Sequence, residues 1–163
     1  MLLLTNRQLQ RYFLGLLAIH ICLGSLRFLF PFQILNLGGS EILISFSSSL
    51  FSVGQILGFL LLGVIITSNR SRLFIGGFFL LILMFLMGSS NDAHILATVR
   101  TFEGLGYGLL FITIVSTAAH FPNQEGEVIG GLFAAVFSGL AIGQGVAGLL
   151  WKPFLFMTTN LAV

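Results

Sequence analysis

Residues 95–119 read ILATVRTFEGLGYGLLFITIVSTAA. The stretch is long and mostly apolar, yet it carries Arg100 and Glu103, three residues apart. A helix needs about 20 mostly apolar residues to cross the hydrocarbon of a bilayer. The run reaches that length. It also lacks the alternation of apolar and polar residues that a membrane barrel strand shows. Two opposite charges three apart share one face of a helix and can pair. The stretch therefore predicts a membrane-spanning helix with an internal ion pair.

Outward from this stretch, four more apolar runs occupy 12–35, 42–67, 73–89 and 128–150. Short polar breaks separate them: 36–41, 68–72, 90–94 and 120–127, the last interrupted by Pro122 and Gly126. Loops this short predict that consecutive helices lie antiparallel and adjacent. The fold class is an all-α, polytopic transmembrane helix bundle. Composition agrees. The 163 residues are 56% hydrophobic and only 7% charged, against about 25% charged in soluble domains. Such a surface suits lipid, not water. The 20 glycines fit as well, since glycine is more frequent in membrane helices than in soluble ones.

The ends read differently. Residues 1–11 are a polar tail, and the run that follows is too long for a cleaved signal and lacks a small-residue cleavage site. It predicts a retained first span. After Trp151, Lys152 and Pro153, residues 154–163 form an apolar stretch of about half a span. A helix ending in mid-bilayer would leave carbonyls in lipid. Residues 151–163 are therefore expected to begin a sixth helix, with a short interfacial tail as the alternative.

Basic residues set the expected orientation. Arg7, Arg11, Arg70 and Arg72 fall on one side, and only Lys152 on the other. Positive charge is retained inside, which predicts a cytoplasmic N-terminus. The scattered cations form no nucleic-acid footprint. The single Cys22 lies in an apolar run and reads as a small buried residue. No residue spacing suggests a metal site, a cofactor or a catalytic nucleophile. Gly104-Leu105-Gly106-Tyr107-Gly108 superficially suggests a nucleotide loop. It lies within a span and follows no strand, so it is not read as one.

Three ionised residues inside spans bear on function: Arg27, Arg100 and Glu103. Each would cost about 2.5–3.5 kcal/mol near a helix centre unless it is paired or hydrated. Arg27 lies four residues before Pro31 on the same helix face. It either contacts an anionic solute or a moving carboxylate, or it snorkels outward into a structural pair. Glu103 stays ionised while paired with Arg100 and takes up a proton if the pair parts in a dry site. The alternative is a static bridge. His20 reads as a hydrogen-bonding residue, Gln33, Gln55 and Gln144 as interhelical hydrogen-bond formers, and His94 and His120 as loop residues. Gly54 with Gly58, and Gly139 with Gly143 and Gly148, predict seams where helix backbones approach closely.

In order and spacing these residues resemble the first five helices of a major facilitator superfamily transporter. After its second helix that family carries a loop of the form G-x-x-x-D-R-x-G-R-R. Here Gly63 leads to Arg70 and Arg72, with Thr67 in the register of the aspartate, or Asn69 if the loop is shifted. Arg100 and Gly104 resemble the family's R-x-x-x-G pattern in its fourth helix, with Glu103 where glutamine is common in proton-driven exporters. Residues 139–148, GLAIGQGVAG, resemble the antiporter motif of the fifth helix, with Gln144 in place of its proline.

The resemblance implies a partial six-helix half of a twelve-helix carrier. Its halves would rock about a midplane site, lined by the first and fourth helices. It implies a secondary transporter of a small solute, without cofactor or ATP hydrolysis and not an enzyme. Its partners would be the bilayer of the plasma membrane, the solute and the remaining C-terminal helices of the same transporter. A non-transporting scaffold or partner-binding bundle derived from such a half is the alternative.

Overall fold

The computed structural model describes residues 6–65 and 68–159, without the side chains of 61–63 and 151–159. No strand occurs among the described residues. The chain forms α1 (Arg7–Asn36), α2 (Glu41–Leu57), α3 (Asn69–Ser89), α4 (Ala93–Ala118) and α5 (Glu125–Thr159). A π-helical turn, Gly58–Leu62, and a short helical turn, Gly63–Ile65, extend α2. Among the described residues, five helices are long and apolar enough to cross a membrane.

Each helix starts earlier than its apolar run, because polar caps lie just outside the hydrocarbon. Asn6 Oδ1 accepts from the N–H of Gln8 at 2.9 Å and of Leu9 at 3.2 Å. Ser40 Oγ accepts from Leu43 N–H at 3.2 Å. Asp92 Oδ1 accepts from His94 N–H at 2.7 Å and Ile95 N–H at 3.1 Å. Each cap satisfies donors that a helix start leaves open. The bonds from Ile95 and His94 also hold the Asp92 carboxyl below its ordinary pKa. His94 thus belongs to the first turn of α4 and not to a loop. At the other end of α1, Gly38 takes φ of +78°, and Gly39 N–H reaches back to the Ile34 carbonyl at 2.8 Å. Glycine adopts that left-handed conformation without a Cβ penalty, so the α1–α2 connection can be short.

α5 stays helical from Glu125 to Thr159, across the residues where a new helix was expected to begin. A proline removes one hydrogen bond and bends a helix without having to end it, and α1 likewise continues through Pro31. The terminal residues 160–163, the tail residues 1–5, and Ile66 and Thr67 lie outside the described residues.

Helix partners differ from the order of the chain. The extensive contacts join α1 to α5, α2 to α4 and α3 to α4, while α1 and α2 touch sparsely. Glycine explains the first two pairs. A Cβ at Gly139 or Gly143 would strike the Leu17 or Ile21 carbonyl of α1, and one at Gly24 would strike the Leu140 carbonyl of α5. Ser25 Oγ adds a hydrogen bond to the Gly143 carbonyl at 3.0 Å. On the second pair, Gly54 and Gly58 face the carbonyls of Thr101 and Leu105, while Gly104 and Gly108 face those of Phe51 and Gln55. In both seams residue numbers rise together, so the paired helices are parallel. Gly148 meets only the Phe28 ring, at 3.6 Å, and is no backbone crossing.

α4 is enclosed on several sides, whereas α3 exposes Phe74 and Phe85 and α5 exposes Phe137 and Leu149. Three apolar clusters fill the interior. One gathers Leu9, Leu16, Ile114 and Val128, one Leu23, Phe51, Leu80 and Tyr107, and one Phe30, Ile34, Met87 and Leu96. Cys22 is exposed on the outer face of α1, and not buried as its apolar surroundings suggested.

The seams make a direct prediction. Gly143→Leu should force α1 from α5 at a cost of at least the about 1–3 kcal/mol of ordinary overpacking. Gly145→Leu, where a Cβ meets nothing within 4 Å, should be tolerated. Thermal unfolding in detergent, followed by circular dichroism, checks the contrast. Equal melting of the two variants would rule out the seam.

Candidate functional site

The charged residues meet between the apolar cluster of Leu23, Phe51 and Tyr107 and that of Phe30, Ile34 and Leu96, where α1, α2 and α4 converge. α4 supplies Arg100, Glu103 and Tyr107, which recur at helical spacing and therefore project the same way. Arg100 Nη1 donates to Glu103 Oε2, as their spacing predicts. Glu103 is fully buried and Arg100 is 7% exposed. Enclosure against other helices keeps the pair out of lipid, which would be far costlier for unpaired charges.

The structure brings Arg27 of α1 to the same place, but not into an ion pair among the described residues. Its guanidinium lies 4.8 Å from the Phe51 ring centre and 4.8 Å from that of Tyr107. Arg100 lies 4.7 Å from the same Phe51 ring and 5.2 Å from Phe30. One aromatic ring of α2 thus serves both cations. The negative ring faces stabilise them, a contribution that grows when water is excluded. His20 flanks Tyr107 edge-on at 5.3 Å and donates from Nδ1 to the Leu16 carbonyl at 2.7 Å. It is a hydrogen-bonded buried histidine, as its sequence suggested.

The cluster is incompletely satisfied. Arg27 Nε, Arg100 Nε and Glu103 Oε1 are buried there without a hydrogen-bond partner, as is Gln33 Oε1 farther along α1. Buried polar atoms are seldom left so. Two guanidiniums and one carboxylate also leave the cluster with an excess positive charge. Chemically, it offers donors for an anion and a carboxylate whose partner is close.

The glutamines depart from expectation. Among the described residues, Gln33, Gln55 and Gln144 make no interhelical hydrogen bond. Gln144 is exposed, because the face of α5 that meets α1 is taken by Gly139 and Gly143. Gln55 instead borders an apolar groove of about 460 Å³ with Ser52, Phe59 and Phe111.

The loop residues separate into two roles. Arg72 is buried, and its Nη1 donates to Asn69 Oδ1 at 3.1 Å and Ser116 Oγ at 2.9 Å. Asn69 Oδ1 accepts from Ser116 Oγ at 2.6 Å. This network pins the start of α3 to the end of α4. Arg70 is exposed, and Gly63 lies in the helical turn after the π segment. Thr67, in register with the family's aspartate, falls outside the described residues. No cluster of His, Cys, Asp or Glu suited to a metal occurs among the described residues.

Sequence reasoning missed Phe51, Phe30 and Tyr107. Tyr107 carried a usable signal, since it follows Glu103 by one helical turn. Phe51 carried none among 18 phenylalanines. Gly104, noted only for the R-x-x-x-G pattern, and Gly108, set aside with a false nucleotide motif, are half of the α2–α4 seam.

Breaking the pair should be worse than removing it. Glu103→Ala leaves a buried cation and should cost about 3–5 kcal/mol, while Arg100→Met with Glu103→Leu should recover most of that loss. Unfolding in graded detergent mixtures measures both. A single variant as stable as the double would show that the pair is not desolvated. Comparison of the chain with protein-family models, characterised proteins and solved structures gives no match.

Proposed function

We propose that the chain is part of a secondary active transporter that moves a small solute by alternating access, coupled to protons. One observation carries this reading: a buried, underbonded cluster of Arg27, Arg100 and Glu103 lies where three spanning helices meet. Ionisable groups inside a membrane bundle are costly and mark pathways for ions and substrates. The resemblance to the major facilitator superfamily in the order of Arg70, Arg72, Arg100 and Gly143 supports it. In this proposal Glu103 holds its charge beside Arg100 in one state and takes a proton when the helices part in another. Arg27 contacts the solute or draws Glu103 away. Further helices of the same transporter complete the pathway.

The transport test uses the complete carrier in proteoliposomes. Glu103→Gln should abolish uptake driven by a proton gradient and spare solute exchange. Unchanged pH dependence of transport would remove Glu103 as the proton carrier.

In the same proposal the N-terminus and the α2–α3 loop face the cytoplasm, and the membrane is the plasma membrane. With Cys22 replaced by serine, Ser71→Cys should react with an impermeant maleimide only after cells are permeabilised. Labelling of intact cells would invert the topology.

A further inference from the structure

A second polar site lies at the opposite end of α1 from Pro31. Arg7 and Arg11 are one turn apart on α1 and share a face with Gln8 and Tyr12 nearby. Arg70, at the start of α3, closes the other side. Together with Leu73 these residues line a cleft of about 590 Å³. An adjoining cavity of about 420 Å³ shares Gln8, Tyr12 and Arg70 and adds Asn69, Thr117 and His120. Among the described residues, no acidic one lines either space. Arg7, Arg11 and Arg70 make no ion pair among the described residues, in contrast to Arg72, which is tied to Asn69 and Ser116.

Three arginines around one cleft, with no carboxylate in its described lining, call for an anion with several acceptor oxygens. Guanidinium geometry matches phosphate oxygens in a bidentate way. The face of α3 below Arg70 decides the source of the phosphate. Phe74 and Phe78 follow Arg70 at successive turns. Their rings stack with centres 6.2 Å apart and planes 2° from parallel. Both are exposed, Phe74 at 73% and Phe78 at 59%, and Ile82 continues the same face. An apolar track therefore leads from the arginines along the span. A free phosphate would have no use for it, whereas a phospholipid has a headgroup and an acyl chain for the two parts.

We propose that the Arg7–Arg11–Arg70 cleft binds the phosphate of an anionic phospholipid, with an acyl chain along Phe74 and Phe78. Basic clefts between spanning helices at a membrane surface are suited to such headgroups. The proposal needs only a membrane-embedded chain and holds whether or not the protein transports anything.

The test uses the full chain in dodecyl maltoside, with fluorescent phosphatidylglycerol and fluorescent phosphatidylcholine as probes. Phosphatidylglycerol should bind at least tenfold more tightly, and added salt should weaken it. Replacing all three arginines by glutamine should remove about a hundredfold of affinity, at about fivefold per arginine. These side chains are exposed, so the variant should elute as the parent does. Phe74→Ala with Phe78→Ala should weaken phosphatidylglycerol without changing its salt dependence. Inorganic phosphate at tens of millimolar should fail to displace the lipid. Equal binding of the two lipids by the unaltered chain would overturn the site, as would an unaffected triple variant. Displacement by millimolar phosphate would overturn the lipid assignment in favour of a free anion.

Discussion

Hydrocarbon supplies no hydrogen bonds, and that constraint arranges the whole bundle. Backbone groups satisfy themselves by forming helices, with polar caps such as Asn6, Ser40 and Asp92 at the ends. Side-chain charges have no such internal remedy. Arg100 and Glu103 sit on the helix that the others enclose, and they bond to each other there. The least apolar of the five spans is therefore the innermost one. In water the same helix would have been turned outward.

Apolar attraction between helices is weak in lipid, since lipid tails are as greasy as leucine. Close backbone approach must hold the bundle together instead. The two glycine seams do so between α1 and α5 and between α2 and α4. Their selectivity is steric. Only where Cβ atoms are missing can carbonyls reach the neighbouring helix, so glycine positions choose the partners.

This accounts for what could and could not be read beforehand. The five spans and the Arg100–Glu103 pair were visible, because length, apolarity and helical spacing act locally. The seams at Gly54, Gly58, Gly139 and Gly143 were visible as patterns, but the helices that they face were not. Short loops suggested sequential neighbours, whereas parallel packing pairs α1 with α5. The distinct fates of Arg70 and Arg72 depend on Asn69 and Ser116, which lie far apart in sequence. The shared role of Phe51 depends on residues from three helices, and no local pattern encodes that. The glutamines failed for a related reason: a polar side chain bonds across helices only if the seam turns it inward.

The pairing of helices also sets where the bundle has backbone crossings and where it has none. α1 with α5 forms one block, and α2, α3 and α4 form another, each locked by direct backbone or side-chain interdigitation. Sliding within a block would drive carbonyl oxygens over one another. Between the blocks α1 and α2 touch sparsely, and the three apolar clusters, with aromatic rings and guanidiniums, fill the joint. A ring and a cation can shift by an ångström with little loss, where a glycine crossing cannot. The joint between α1 and α2 thus holds Arg27, Phe51 and Arg100 without a backbone crossing, so a displacement of one helix against the other would change the electrostatic environment of these charges.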